Sequence, residues 1–122
     1  MDRLFICLGS LSAFIGVALG AFAAHALKAR LSVDLLGTLE IGVRYQMYHA
    51  LALVAVGIVY GRWPSTLASA AGWLFIAGTL LFCGSLYALA LSGARWLGAI
   101  APLGGVALLA GWLCLARAVW KV

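Results

Sequence analysis

Chemistry in this chain would have to begin at its two histidines, His25 and His49, and the polar side chains between and beside them: Glu40, Arg44, Tyr45, Gln46 and Tyr48. Imidazole ligates haem iron or another transition metal, and phenols and amides hydrogen-bond a quinone or a headgroup. A guanidinium pairs with an anion. If the stretch is helical, Glu40 and Arg44 are four residues apart and can form an ion pair. Tyr45 and His49 share that spacing on another face, with Gln46 one turn before His49. Three readings follow. The weightiest is a satisfied hydrogen-bond network that fixes the hairpin of the first two helices. The second is a headgroup, quinone or small-ligand site with Arg44 as anion partner. The third makes His25 and His49 ligands of haem or a metal, approaching each other across the helix pair. No metal-spaced cluster, nucleophile–base pair or phosphate loop is present, so no catalytic residue is assigned. Cys7, Cys83 and Cys114 lie in apolar stretches without a Cys-x-x-Cys pair and read as packing residues.

The elements that must carry these residues follow from composition. In 122 residues, 66% are hydrophobic and 9% charged, and the mean hydropathy is +1.15. A soluble domain of this size could not hide that much apolar surface, so lipid is the solvent. No Asp, Glu, Lys or Arg falls between Arg3 and Lys28, between Arg62 and Arg95, or between Arg95 and Arg117. About 20 apolar residues cross roughly 30 Å of hydrocarbon. The reading is an all-α integral membrane domain: four transmembrane helices in a compact bundle, at about 4–27, 43–61, 66–91 and 97–120. A short interfacial segment at about 32–42 is expected between the first two. Ser32 supplies an N-cap there and Asp34 suits a first helical turn. The first crossing has a basic start and small-residue patterns like those of a signal peptide, but its apolar run is too long, and it reads as a retained helix.

Small residues mark the expected helix contacts. Gly16-x-x-x-Gly20 on the first helix lets another backbone come close, and Gly72, Gly78 and Gly84 on the third and Gly104, Gly105 and Gly111 on the fourth are read the same way. Trp63, Trp96 and Trp120 fall near helix ends, as interface aromatics do. The net charge of +5 is spread singly over helix ends and not gathered on one face. That pattern anchors helices at headgroups and argues against nucleic acid. With alternating helices, Arg3, Arg62, Arg117 and Lys121 share one side, and Lys28, Arg30, Arg44 and Arg95 the other. Setting Arg44 aside as part of the second helix tips this near tie toward both termini in the cytoplasm.

At the histidines the sequence also acquires a likeness. Gly20-Ala21-Phe22-Ala23-Ala24-His25-Ala26-Leu27 and Tyr45-Gln46-Met47-Tyr48-His49-Ala50-Leu51-Ala52-Leu53 resemble the first two signatures of domain-of-unknown-function family 423. These are small bacterial membrane proteins of the YgdD/YwdK type, with transmembrane protein 256 as a similar eukaryotic protein. Ala71-Gly72-Trp73-Leu74-Phe75, Phe82-Cys83-Gly84-Ser85-Leu86-Tyr87 and Pro102-Leu103-Gly104-Gly105 resemble the later ones. Ala23, Cys83 and Ala101 depart from that pattern, standing where glycine, serine and threonine are common. The resemblance implies a four-helix, multi-pass protein of the bacterial inner membrane and supplies no reaction.

The functional expectation is therefore a non-catalytic accessory, structural or lipid-interacting component. Its partners would be membrane lipids and a second copy or a membrane-complex subunit. A haem-, quinone- or small-ligand-binding protein using His25 and His49 is the alternative. Transport of a small solute or protons by an oligomer comes third, because the later helices offer few mid-membrane polar groups beyond Thr79, Ser85 and Tyr87 and no halves look alike as transporter repeats do. An enzyme acting on a soluble substrate comes last, because the loops are too short to build a site outside the bilayer.

Overall fold

A computed structural model of the protein describes residues 1–120. Four helices fill it: α1 over Asp2–Ala26, α2 over Val33–Arg62, α3 over Thr66–Ser92, and α4 over Ala101–Trp120 after a 3₁₀ turn at Arg95–Ala99. No strand occurs among the described residues. All four helices are long and apolar enough to cross a membrane. Their outward side chains, such as Phe14 and Leu113 at 73% exposure each, form an apolar surface of the kind that a membrane-spanning bundle presents.

Local chemistry sets the helix ends. Ser32 accepts a hydrogen bond from the Leu35 N–H (3.2 Å) and opens α2. Ser65 accepts one from Ala68 (3.0 Å) and opens α3 just after Pro64. Each hydroxyl satisfies a backbone donor that the first helical turn leaves unpaired. Gly93, at φ 72°, closes α3 in the left-handed region that a side chain would resist. Within α1 one turn, Leu19–Ala23, is a π-helix.

The expected interfacial segment at 32–42 is not a separate element. The chain runs unbroken from Val33 to Arg62, a helix of 30 residues. At 1.5 Å per residue that is about 45 Å, roughly three turns more than the hydrocarbon requires. The polar side chains of Asp34 and Glu40 occupy the overhanging turns, where a capped backbone has no reason to break.

Each helix packs antiparallel against its neighbour in sequence. A Cβ placed on Gly9 would meet Val54 (2.8 Å to Cγ2), one on Gly16 would meet the Met47 sulfur (2.6 Å), and one on Gly20 would meet Val43 (3.1 Å). The α1–α2 register is read from these contacts. Between α3 and α4, a Cβ on Gly104 would fall on the backbone of Phe82, and ones on Gly78 and Gly111 would meet Leu108 and Phe75 at 2.7 Å. Gly72 lies under the Phe5 ring, which brings α1 onto α3. Phe5, Leu53, Val56, Ala71, Phe75 and Leu108 form the core where these faces meet. Two of the expected packing glycines belong elsewhere. A Cβ on Gly84 would meet nothing within 4 Å, and one on Gly105 would reach only Phe82, at 3.9 Å. Gly84 is exposed, and Gly105 lines an open groove. Lys121, counted in the charge balance above, lies outside the described residues.

Candidate functional site

The overhang of α2 and the antiparallel register separate the two histidines. Since Gly16 faces Met47 and Gly20 faces Val43, continuing the register sets His25 level with the region of Thr38. His49 stands eleven residues further along α2, about 16 Å down the axis. His25 is exposed at the end of α1, whereas His49 is buried at 6% exposure. The expectation of similar depth and mutual approach is therefore corrected: the two imidazoles do not form a pair.

His49 instead reaches across to α4. The Trp112 indole N–H donates to His49 Nε2 at 3.1 Å. Indole is a donor only, so Nε2 must be the acceptor and the proton sits on Nδ1, which donates to the Tyr45 carbonyl at 2.7 Å. One tautomer is thereby selected by its partners, and neither ring nitrogen keeps a lone pair for a metal. Among the described residues no group of three or more His, Cys, Asp or Glu is placed to hold a metal ion.

Gln46, one turn earlier and also buried, faces the other way. Its amide nitrogen donates to the Ser12 carbonyl of α1 (2.8 Å), and its oxygen accepts from the Tyr87 hydroxyl of α3 (2.6 Å). The carbonyl of Ser12 can only accept, which fixes the amide orientation. Gln46 thus ties three helices, and His49 ties α2 to α4. Ser85 donates to the Phe82 carbonyl in its own helix (2.9 Å). Among the described residues no buried side-chain nitrogen or oxygen lacks a partner.

Tyr45 and Tyr48 belong to an aromatic shell rather than to the Gln46 network. Tyr45 packs on Phe82 with centroids 4.8 Å apart and on Tyr48 at 5.7 Å, and its ring is stacked 6.3 Å from His49. Trp112 packs edge-on to Phe75 at 4.9 Å. Glu40 and Arg44 are both exposed. The expected ion pair between them is absent: among the described residues the salt-bridge contact is that of the Met1 amino group with Asp2. Arg44 does not reach His49's network.

These side chains line two openings. A small cavity of about 150 Å³ lies between α1, α2 and α3, with Ser12, His49 and Thr79 among its lining. A groove of about 590 Å³ opens between α2 and α4, walled by Tyr45, Tyr48, Phe82, Pro102, Leu109 and Trp112 with His49 at its base. Sequence reasoning missed Trp112 and gave Phe75 and Phe82 no part in the site. The one available signal was an indole N–H in the middle of a crossing, where no water can satisfy it.

With this arrangement in view, the relatives of the chain are informative. The profile described as "Protein of unknown function (DUF423)" matches residues 19–105. The chain belongs to the DUF423 family. Proteins similar to it along almost their whole length are UPF0382 membrane proteins. One, from Staphylococcus haemolyticus, is 45% identical over 119 residues, covering 98% of this chain and 97% of its own. Another, YwdK of Bacillus subtilis, is 42% identical over 120 residues, with 98% of each chain covered. No solved structure matches the chain. The DUF423 match spans His25, Gln46, His49 and Tyr87 and ends at Gly105, short of Trp112.

Proposed function

We propose that this DUF423 protein is a non-catalytic, lipid-interacting component of the bacterial inner membrane, whose buried polar residues serve to assemble its helices and shape the α2–α4 groove. The observation that carries this reading is the saturation of the polar cluster. Both nitrogens of His49 and both ends of the Gln46 amide are bonded within the protein. A reactive or ligating group needs an unspent lone pair or proton aimed at open space, and these residues spend theirs on neighbouring helices. Hydrogen bonds between helices, added to close glycine contacts, are what hold a bundle together where apolar burial gives no drive.

The test is the absorption spectrum and solvent extract of the purified protein beside His49→Ala and His25→Ala. The reading expects His49→Ala to melt at lower temperature and His25→Ala to behave as wild type, with no stoichiometric haem or quinone released by either. A Soret band, or one quinone per chain, that disappears with His49 would overturn it in favour of a cofactor site.

A further inference from the structure

The groove between α2 and α4 has a mouth, walls and a base of distinct chemistry. A 30 Å crossing counted back from Arg62 takes about 20 residues and brings the hydrocarbon edge to the neighbourhood of Arg44. Tyr48 is one turn deeper on the same stripe of α2. Pro102, which lines the groove from α4, is at the same end, because α3 and α4 run antiparallel with Gly104 against Phe82. The groove therefore descends from the headgroup level toward the middle of the bilayer, where Leu109 and Trp112 close it.

Each level presents a different group. Arg44, one turn outward from the lining residue Tyr48 and itself outside the groove's lining, is exposed, and no acidic side chain pairs with it among the described residues, although Glu40 stands one turn further out. Arg95, also exposed, leads into α4 at this end. Just inside, Tyr45 and Tyr48 are 37% and 53% exposed. Phenol donors at this depth face the zone of a lipid's ester carbonyls. Below them the walls are aromatic and aliphatic. The base is His49, whose nitrogens are already bonded, so it offers no donor to a quinone carbonyl. The volume of about 590 Å³ falls within the range of small-molecule sites.

Resting on the lipid-interacting reading above, we propose that this groove seats an acyl chain of one anionic phospholipid, whose phosphate is held at the mouth by the Arg44 guanidinium. Guanidinium and phosphate match in charge and in hydrogen-bond geometry. Gly105 keeps the channel open. It lines the groove, and a Cβ added there would touch nothing nearer than Phe82 at 3.9 Å. A larger side chain at this position fills the groove while leaving the helix contacts in place.

The experiment is native mass spectrometry of the full chain released from vesicles of equal phosphatidylglycerol and phosphatidylcholine. Wild type, Arg44→Gln, Gly105→Leu and the lipid-facing control Gly84→Leu are compared, with melting temperatures to check folding. Wild type and Gly84→Leu are expected to retain one phosphatidylglycerol. Arg44→Gln should still hold a lipid but lose about fivefold of its preference for the anionic one, the worth of roughly one basic residue at a membrane surface. Gly105→Leu should lose the retained lipid. Equal retention by Gly105→Leu, an unchanged preference in Arg44→Gln, or a wild-type dimer that Gly105→Leu splits each overturns the proposal. A bare wild-type chain overturns the lipid assignment alone. A haem or quinone mass overturns the non-catalytic reading as well.

Discussion

His49 shows how a buried polar residue in a membrane protein is defined by what it can no longer do. Trp112 and the Tyr45 carbonyl consume both of its nitrogens, and its value to the fold is the attachment of α4 to α2. Trp112→Phe removes the only group able to donate from that indole. A double-mutant cycle with His49→Ala, followed by thermal unfolding in detergent, is expected to give a coupling of about 0.6 kcal/mol, with about 1.7 kcal/mol as the ceiling for such pairs. Additive effects would mean that the bond contributes nothing. Tyr87→Phe strips Gln46 of a donor at 2.6 Å. It should cost about 1 kcal/mol, read as a lower melting temperature with helicity retained. Gln46 and His49 could be singled out in the sequence because few strong polar groups fall within the crossings. Their partners could not, because the azimuth of one helix against another is set by packing that no spacing rule encodes. The Glu40–Arg44 spacing permitted a pair without requiring one, since exposed charges exchange little by pairing instead of being solvated.

At the level of the helices, glycine has two unlike uses that composition does not separate. Gly104 is where α4 comes down on the backbone of Phe82, whereas Gly84 faces open space. Gly104→Ala should force the α3–α4 faces apart and cost about 1–3 kcal/mol. Gly84→Ala should be neutral or stabilising, because alanine is the better helix former. Parallel melts of the two variants decide the matter, and equal losses would sink this account of the α3–α4 contact. Three of the four crossings were legible from gaps in the charge pattern. The extent of α2 was not, because its opening turns are polar while its backbone, capped by Ser32, simply continues. That overhang is also why two histidines near the ends of adjacent apolar runs come to lie far apart in depth.

At the scale of the whole molecule, an even number of crossings puts Asp2 and Trp120 on one face of the membrane, with Pro64 beside them and Lys28 and Arg95 opposite. Single cysteines introduced at residues 28, 64 and 95 in a background without the native thiols should divide accordingly when labelled with an impermeant maleimide in intact cells and inverted vesicles. Residues 28 and 95 should react together from one side and residue 64 from the other. Any other division would break the four-crossing arrangement.

Because every helix packs on its neighbour in sequence, the order of assembly is written into the topology. The α1–α2 and α3–α4 hairpins can each close as soon as they are synthesised, with little loop entropy to overcome. The Trp112–His49 bond joins residues 63 positions apart, the widest separation among the side-chain hydrogen bonds of the described residues, and it cannot form until α4 has been inserted. The groove it closes is thus a late product of biogenesis. Until then the base of that groove exposes to lipid an imidazole whose Nδ1 is bonded to the Tyr45 carbonyl of its own helix and whose Nε2 has no partner.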